Sequence, residues 1–232
     1  MTDGFREAHD RDYIGSRDID IGIHVDQQWT EETITDSPVA ETLDRIETQL
    51  GYSRGRFGFY QQFHRDTGER LDDARARKLA SHNVFRVDID VLPDTTELDA
   101  FEDAFGFRPP AEPLLEPVFT DGIGEPLDEH VEWAVPEEVQ IAPAATLAAM
   151  KVRAFPDRDK SHKRLKDLAD LHALLWYVTE YNDLKTAVQD QITTDDGAAF
   201  ESTVGTDLYD RTARLIDVDP TIVQQSIERL FV

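Results

Sequence analysis

Between Tyr13 and Asp26 the chain alternates with period two. Ile19, Ile21, Ile23 and Val25 fall on one face, and Asp18, Asp20, Gly22 and His24 fall on the other. Such a pattern is a strand with one face buried, and it commits the N-terminal half to a sheet. Val84 to Leu92 repeats it, with Val87, Ile89 and Val91 opposite Arg86, Asp88 and Asp90. Arg56 to Arg65 reads as a further strand that turns at Asp66-Thr67-Gly68. Ser37-Pro38 opens a helix striped by Val39, Leu43, Ile46 and Leu50, and Gly51 ends it. Residues 93–142 are irregular and Pro-rich, with short strands expected around Pro117–Phe119 and His130–Val135. From Pro143 the pattern is helical. One helix is expected over Ala144–Phe155, a second over Asp159–Tyr181, a third over about Glu201–Ile216, and a fourth from Asp219-Pro220 to the C-terminus. The fold class is α+β: residues 1–142 form a small mixed sheet with helices, and residues 143–232 form a helical region packed on it. No internal repeat, P-loop or G-x-G-x-x-G occurs.

Composition sets the setting. The 232 residues include 48 acidic and 24 basic side chains, a net charge of −24, and the acids are spread along the whole chain. Dispersed Asp keeps a folded surface hydrated at molar salt, where the Debye length falls to about 3 Å and self-repulsion is screened. This is the signature of halophilic adaptation, and it removes net charge as an argument against nucleic-acid partners. With no Cys, disulfides and Cys-ligated zinc are excluded. No apolar run approaches the roughly 20 residues of a membrane span, and the N-terminal MTDGFREAHDRD is too charged for a signal peptide. The expected location is cytoplasmic, without a membrane partner.

Two D-x-D pairs lie in strand contexts, Asp18/Asp20 and Asp88/Asp90. Residues i and i+2 of a strand point the same way, so both carboxylates reach one divalent ion. The bare motif is uninformative. Five such pairs occur among 30 Asp, where chance gives about four. Only the aliphatic stripe sets 18/20 and 88/90 apart. On a central strand these carboxylates need a cation to offset their burial; on an edge strand they are simply solvated. His24 continues the polar face, where a lone His is more often exposed or hydrogen bonded than a ligand. A second cluster is basic: Lys151, Arg153, Arg158, Lys160, His162, Lys163, Arg164 and Lys166. Four of the six Lys of the chain fall within residues 151–166. Lys163, Asp167 and Asp170 recur at i, i+4 and i+7 on one helix face. A surface ion-pair ladder accounts for this spacing, as does a phosphate-binding edge.

These clusters, in this order, resemble the nucleotidyltransferase-fold proteins related to AbiEii-type toxins, including archaeal relatives. Gly15-Ser16-Arg17-Asp18-Ile19-Asp20 is similar to the family's D-h-D metal strand. Lys151 is similar to its isolated Lys, and Arg158…Lys163-Arg164-Leu165-Lys166-Asp167-Leu168-Ala169-Asp170-Leu171 to its R-x(n)-K-D-h-x-D-h signature. The resemblance implies nucleotidyl transfer from an NTP to a hydroxyl of RNA (tRNA) or protein, with a cognate antitoxin as partner. It implies two Mg2+ ions on Asp18, Asp20 and Asp88, with Asp90 in reserve, and Asp88 also helping to deprotonate the acceptor. Ser16, Arg17, Lys151 and Lys163 contact the nucleotide, Lys151 neutralising triphosphate charge, while Asp167 and Asp170 orient Lys or a metal-bound water. Lys151 is expected to line a cleft, so that its loss weakens NTP binding and spares folding.

The superfamily's Gly-Gly or Gly-Ser helix, about ten residues ahead of D-h-D, has no match here. Gly4 is followed by Phe5, and Gly15-Ser16 stands too near Asp18. That departure supports an alternative, a non-catalytic relative used as a binding module. A metal-dependent phosphodiesterase using the same carboxylates is a further alternative and wants more His than position 24 supplies.

Overall fold

The computed structural model describes residues 2–16, 18–135, 139–178 and 180–232. In chain order the elements are α1 (Thr2–His9), β1 (Asp18–Ile23), α2 (Glu31–Thr35), α3 (Pro38–Thr48), β2 (Ser53–Arg54), β3 (Gly58–His64), β4 (Arg70–Leu71), α4 (Asp73–Ala76), β5 (Val84–Pro93), α5 (Asp99–Phe105), α6 (Glu116–Thr120), β6 (Glu125–Pro126), β7 (Gln140–Ile141), α7 (Ala144–Ala154), α8 (Ser161–Tyr177), α9 (Tyr181–Gln189), α10 (Thr194–Thr203), α11 (Thr206–Ile216) and α12 (Pro220–Glu228). The class is α+β, as the pattern of the sequence implies. The chain divides into a sheet unit, Gly15–Thr120, and a helical unit, Met1–Ile14 with Asp121–Val232. By contacts the chain thus divides at 120/121, and the residues before Gly15 go with the helices.

In the sheet unit the strand order is β1-β5-β3-β2, with β4 added to β3. β1 and β5 are parallel neighbours, which requires a long crossover; residues 24–83 supply it. The Ser37-Pro38 signal works as read: the Ser37 hydroxyl accepts from the Ala40 amide and Pro38 opens α3. One face of the sheet presents Ile23, Phe59, Ile89 and Val91 to Ile34, Leu43, Ile46 and Phe101 of α2, α3 and α5, and all are buried. The opposite face carries Asp18 and Asp20, then Arg86, Asp88 and Asp90, and then Tyr60 and Gln62, as period two demands.

In the helical unit α8 is the axis. Its residues Asp167–Leu175 are all buried, so it is covered on every side. α1, α7, α9, α11 and α12 do the covering. α1 can approach α8 closely because residue 4 is glycine: a Cβ there would stand 2.6 Å from the carbonyl oxygen of Tyr177. His9 Nε2 lies 2.7 Å from the Tyr177 hydroxyl, and Phe5 is buried beside both rings.

Several local expectations change. Residues 117–119 lie in α6, not a strand, because Pro117 sits in the first turn of a helix that tolerates it. Residues 130–135 form no strand, and Trp133 is two-thirds exposed with no sheet face to cover it. The pairing nearby is β6 with β7 instead. The expected helix 201–216 breaks at Val204-Gly205 into α10 and α11, since glycine is costly inside a helix and serves here as the cap of α11.

His172 on α8 is fully buried. The Ser226 hydroxyl donates to Val223 O at 2.8 Å, so it must accept from His172 Nδ1, 2.7 Å away. Nε2 is buried without a partner among the described residues. Burial first, and His9 second, push the imidazole down to about 4. The unfolded chain therefore binds this proton more readily between pH 6.5 and about 4, and stability falls as pH is lowered through that window. The loss reaches about 3 kcal/mol. Urea denaturation at fixed salt from pH 7.5 to 4 should show this slope in the wild type and not in His172→Leu; parallel profiles would refute it.

Candidate active site

β1 and β5 run in register with Asp18 beside Asp88 and Asp20 beside Asp90. Paired residues of neighbouring strands project to the same side, so four carboxylates share one face. β1 is the edge strand, with Asp18 and Asp20 exposed, which matches the solvated-edge alternative for that pair. Asp88 lies on the central strand, and its side chain is 29% exposed. The C-terminal end of this face is closed by Leu115 and Phe119, which lie against Gly22; a Cβ there would meet Leu115 Cδ1 at 3.2 Å. His24 Nδ1 is 2.6 Å from Asp94 Oδ2, which fixes the ring and leaves only Nε2 for a further partner. Asp94 is buried and also accepts from the Val25 amide at 3.0 Å.

Asp88 is held by its neighbour on the same strand face. Arg86 Nε donates to Asp88 Oδ1 at 2.7 Å, and Nη2 stands 2.6 Å from the same oxygen in the ion pair. The guanidinium lies over the Tyr60 ring, 4.0 Å from its centroid. Tyr60 donates its hydroxyl proton to Asp73, at 3.0 and 2.9 Å, and Gln62 donates to the same carboxylate at 2.8 Å. That hydrogen bond holds the Tyr60 hydroxyl above the usual phenol range. Among the described residues no three Asp, Glu or His side chains converge on a common point. The donor chemistry nonetheless fits a hard divalent ion, because carboxylate oxygens stand on adjacent parallel strands and face one way. Ser16 caps the strand entry, its hydroxyl accepting from the Asp18 amide at 3.3 Å. Arg17 lies outside the described residues.

The helical unit holds the second cluster. Asp167 and Asp170 are buried. Lys151, from α7, donates to Asp170 Oδ2 at 2.8 Å and to Asp167 Oδ1 at 3.5 Å. Arg158 Nε donates to Asp167 Oδ2 at 2.8 Å. Lys166 reaches both oxygens of Asp170, at 3.0 and 3.1 Å, and Tyr13 donates to Asp170 Oδ1 at 2.7 Å. Burial works against the charge of Lys151, but Asp170 and then Asp167 outweigh it and hold the ammonium above its usual range. Burial likewise opposes the Asp170 carboxylate, and Lys151 and Lys166 overcome it and draw Asp170 below the usual carboxylate range. Burial, then Asp170, lifts the Tyr13 phenol far above its own.

The expected grouping of Lys163 with these carboxylates is therefore altered. Lys163 is exposed, and Lys166, four residues before Asp170, takes its place. That spacing was readable, as was Arg86 two residues before Asp88. Tyr13 was not, since nothing local marks a tyrosine that meets its partner 157 residues later.

An α+β chain with acidic strands in register and the Lys-Asp signature on its central helix has the form of a nucleotidyltransferase. The family described as "Nucleotidyl transferase AbiEii toxin, Type IV TA system" matches residues 15–224, and the chain belongs to it. No curated protein matches the chain, and no solved structure does. Among the described residues no helix is long and apolar enough to cross a membrane.

Lys151 is thus bound into the helical core, contrary to a side chain that merely lines a cleft. Lys151→Ala should lower unfolding stability by about 1–3 kcal/mol, because it takes one cation from two buried carboxylates that keep Arg158, Lys166 and Tyr13. Adding Asp170→Asn should restore part of that loss in a double-mutant cycle followed by denaturant unfolding. Single and double mutants whose losses simply add would show that the pair carries no net coupling.

Proposed function

We propose that this protein transfers a nucleotide from an NTP to a hydroxyl of RNA, such as a tRNA, or of a protein, with divalent ions held by Asp18, Asp20 and Asp88. The observation that carries this reading is the parallel register that sets Asp18 beside Asp88 on one sheet face, in a chain of the nucleotidyl transferase toxin family. Mg2+ bound there would supply charge to offset the phosphates and the developing charge on the leaving pyrophosphate. The remaining work falls to the chain. Asp18 and Asp20, two residues apart, fix the ion-binding edge. Asp88 stands beside them and accepts the proton that the attacking hydroxyl gives up. The acceptor oxygen forms its bond to the α-phosphorus as the bond to the pyrophosphate oxygen breaks. Asp90 extends the same face. Ser16 and Arg17, immediately ahead of Asp18, are assigned to the nucleotide, and Lys163 offers an exposed ammonium for phosphate. Lys151, Asp167 and Asp170 contribute by holding the helical unit together. A cognate antitoxin is the partner that the family's description suggests.

Incubation with each labelled NTP, Mg2+ and either total tRNA or total protein, in molar KCl, tests the reading. Label should pass to one acceptor class and depend on the metal. Asp18→Asn and Asp88→Asn should each reduce incorporation by about 100-fold or more, the usual scale for removing a group that stabilises transition-state charge. Transfer that survives both substitutions would overturn the assignment. Absence of transfer with every NTP, from folded protein, would favour the binding-module alternative.

A further inference from the structure

We propose that Arg86 and a divalent ion are alternative partners of Asp88, and that ion binding releases the Arg86 guanidinium to grip phosphate oxygens of the anionic substrate. This rests on the assignment of Asp88 to the ion. The geometry sets up the exchange. Two guanidinium nitrogens converge on the single oxygen Asp88 Oδ1, so an ion shared with Asp18 competes with them for the charge of one carboxylate. Arginine does not lose its proton, so it leaves the carboxylate only by moving.

What lies beneath Arg86 keeps that movement short. The guanidinium rests on the Tyr60 ring, an attraction to the ring face that does not depend on Asp88. Tyr60 is the cross-strand neighbour of Asp88, and Gln62 is that of Arg86. Both side chains are tied to Asp73, so the ring is fixed in place. A guanidinium displaced from Asp88 therefore stays on the same face. Its side chain is 48% exposed, and its planar fork of donors matches phosphate oxygens. In the metal-free protein the same arginine offsets the charge of Asp88 beside Asp18.

Mn2+ and inorganic tripolyphosphate are the probes, with the full chain at constant molar salt. By titration calorimetry Arg86→Gln should bind Mn2+ about three- to fivefold more tightly, the scale of a partly exposed ion pair. With free Mn2+ held saturating, the same variant should bind tripolyphosphate about tenfold more weakly. Arg86→Lys, which keeps the charge but not the fork, should fall between the two, and serves if Arg86→Gln does not fold. Unchanged or weaker Mn2+ binding in Arg86→Gln would overturn the competition, and unchanged tripolyphosphate affinity would overturn the phosphate contact. Failure of the underlying ion assignment reads differently: Asp18→Asn and Asp88→Asn would then bind Mn2+ as the wild type does.

Discussion

Parallel pairing of β1 with β5 places like charges side by side, Asp18 with Asp88 and Asp20 with Asp90. Directly opposed like charges destabilise a sheet, so something must hold this register. The other face does so. Ile23, Ile89 and Val91 enter one buried cluster with Phe59 and the helices α2, α3 and α5. A slip of one residue would turn the carboxylates into that cluster and the aliphatic side chains out to water. The apolar side of the sheet thus enforces the repulsion on its polar side. Water around the edge strand, screening by salt and the Arg86 guanidinium reduce its cost.

The helical unit solves the opposite problem. There the carboxylates are not crowded on a surface but buried along a helix that is covered all round. Desolvation opposes Asp170 and Lys151 alike, and each holds its charge because the other is present. Three cationic side chains and one phenol meet two carboxylates. Such a network is a poor source of net stability compared with apolar packing, yet severe to break one-sidedly. It also gives the Lys enrichment of residues 151–166 a plain physical role: Lys151 and Lys166 supply compact ammonium groups to a semi-buried site.

Much of the sheet unit was legible because its signals are local. Period two gave β1 and β5, the Ser-Pro pair gave the start of α3, and i, i+2 spacing grouped the carboxylates. The family resemblance drew on contiguous motifs and was likewise visible. Whether β1 was central or at an edge was not, since that depends on partners rather than on β1 itself. The place of Tyr13 also escaped, because nothing near it reports that it will meet Asp170. Residues 117–119 misled for a related reason: a short apolar run with proline suits an extended segment or a first helical turn, and the neighbours decide. The i, i+4, i+7 pattern identified the right face of α8, but the choice of Lys166 over Lys163 followed from which ammonium lies over Asp170 after packing.

The helical unit is built from both ends of the chain, with residues 15–120 leaving and returning between them. On the ribosome this imposes a wait. Phe5 and Tyr13 emerge first, yet the helix that buries them is made more than 150 residues later. At ordinary rates of synthesis that interval is roughly ten to thirty seconds. Once residue 120 has been made the sheet unit has all its strands and can close on its own core, while the amino-terminal segment still waits with its aromatic rings uncovered. A nascent chain of this design therefore holds a finished sheet unit and an unclaimed apolar strap together until α8 appears.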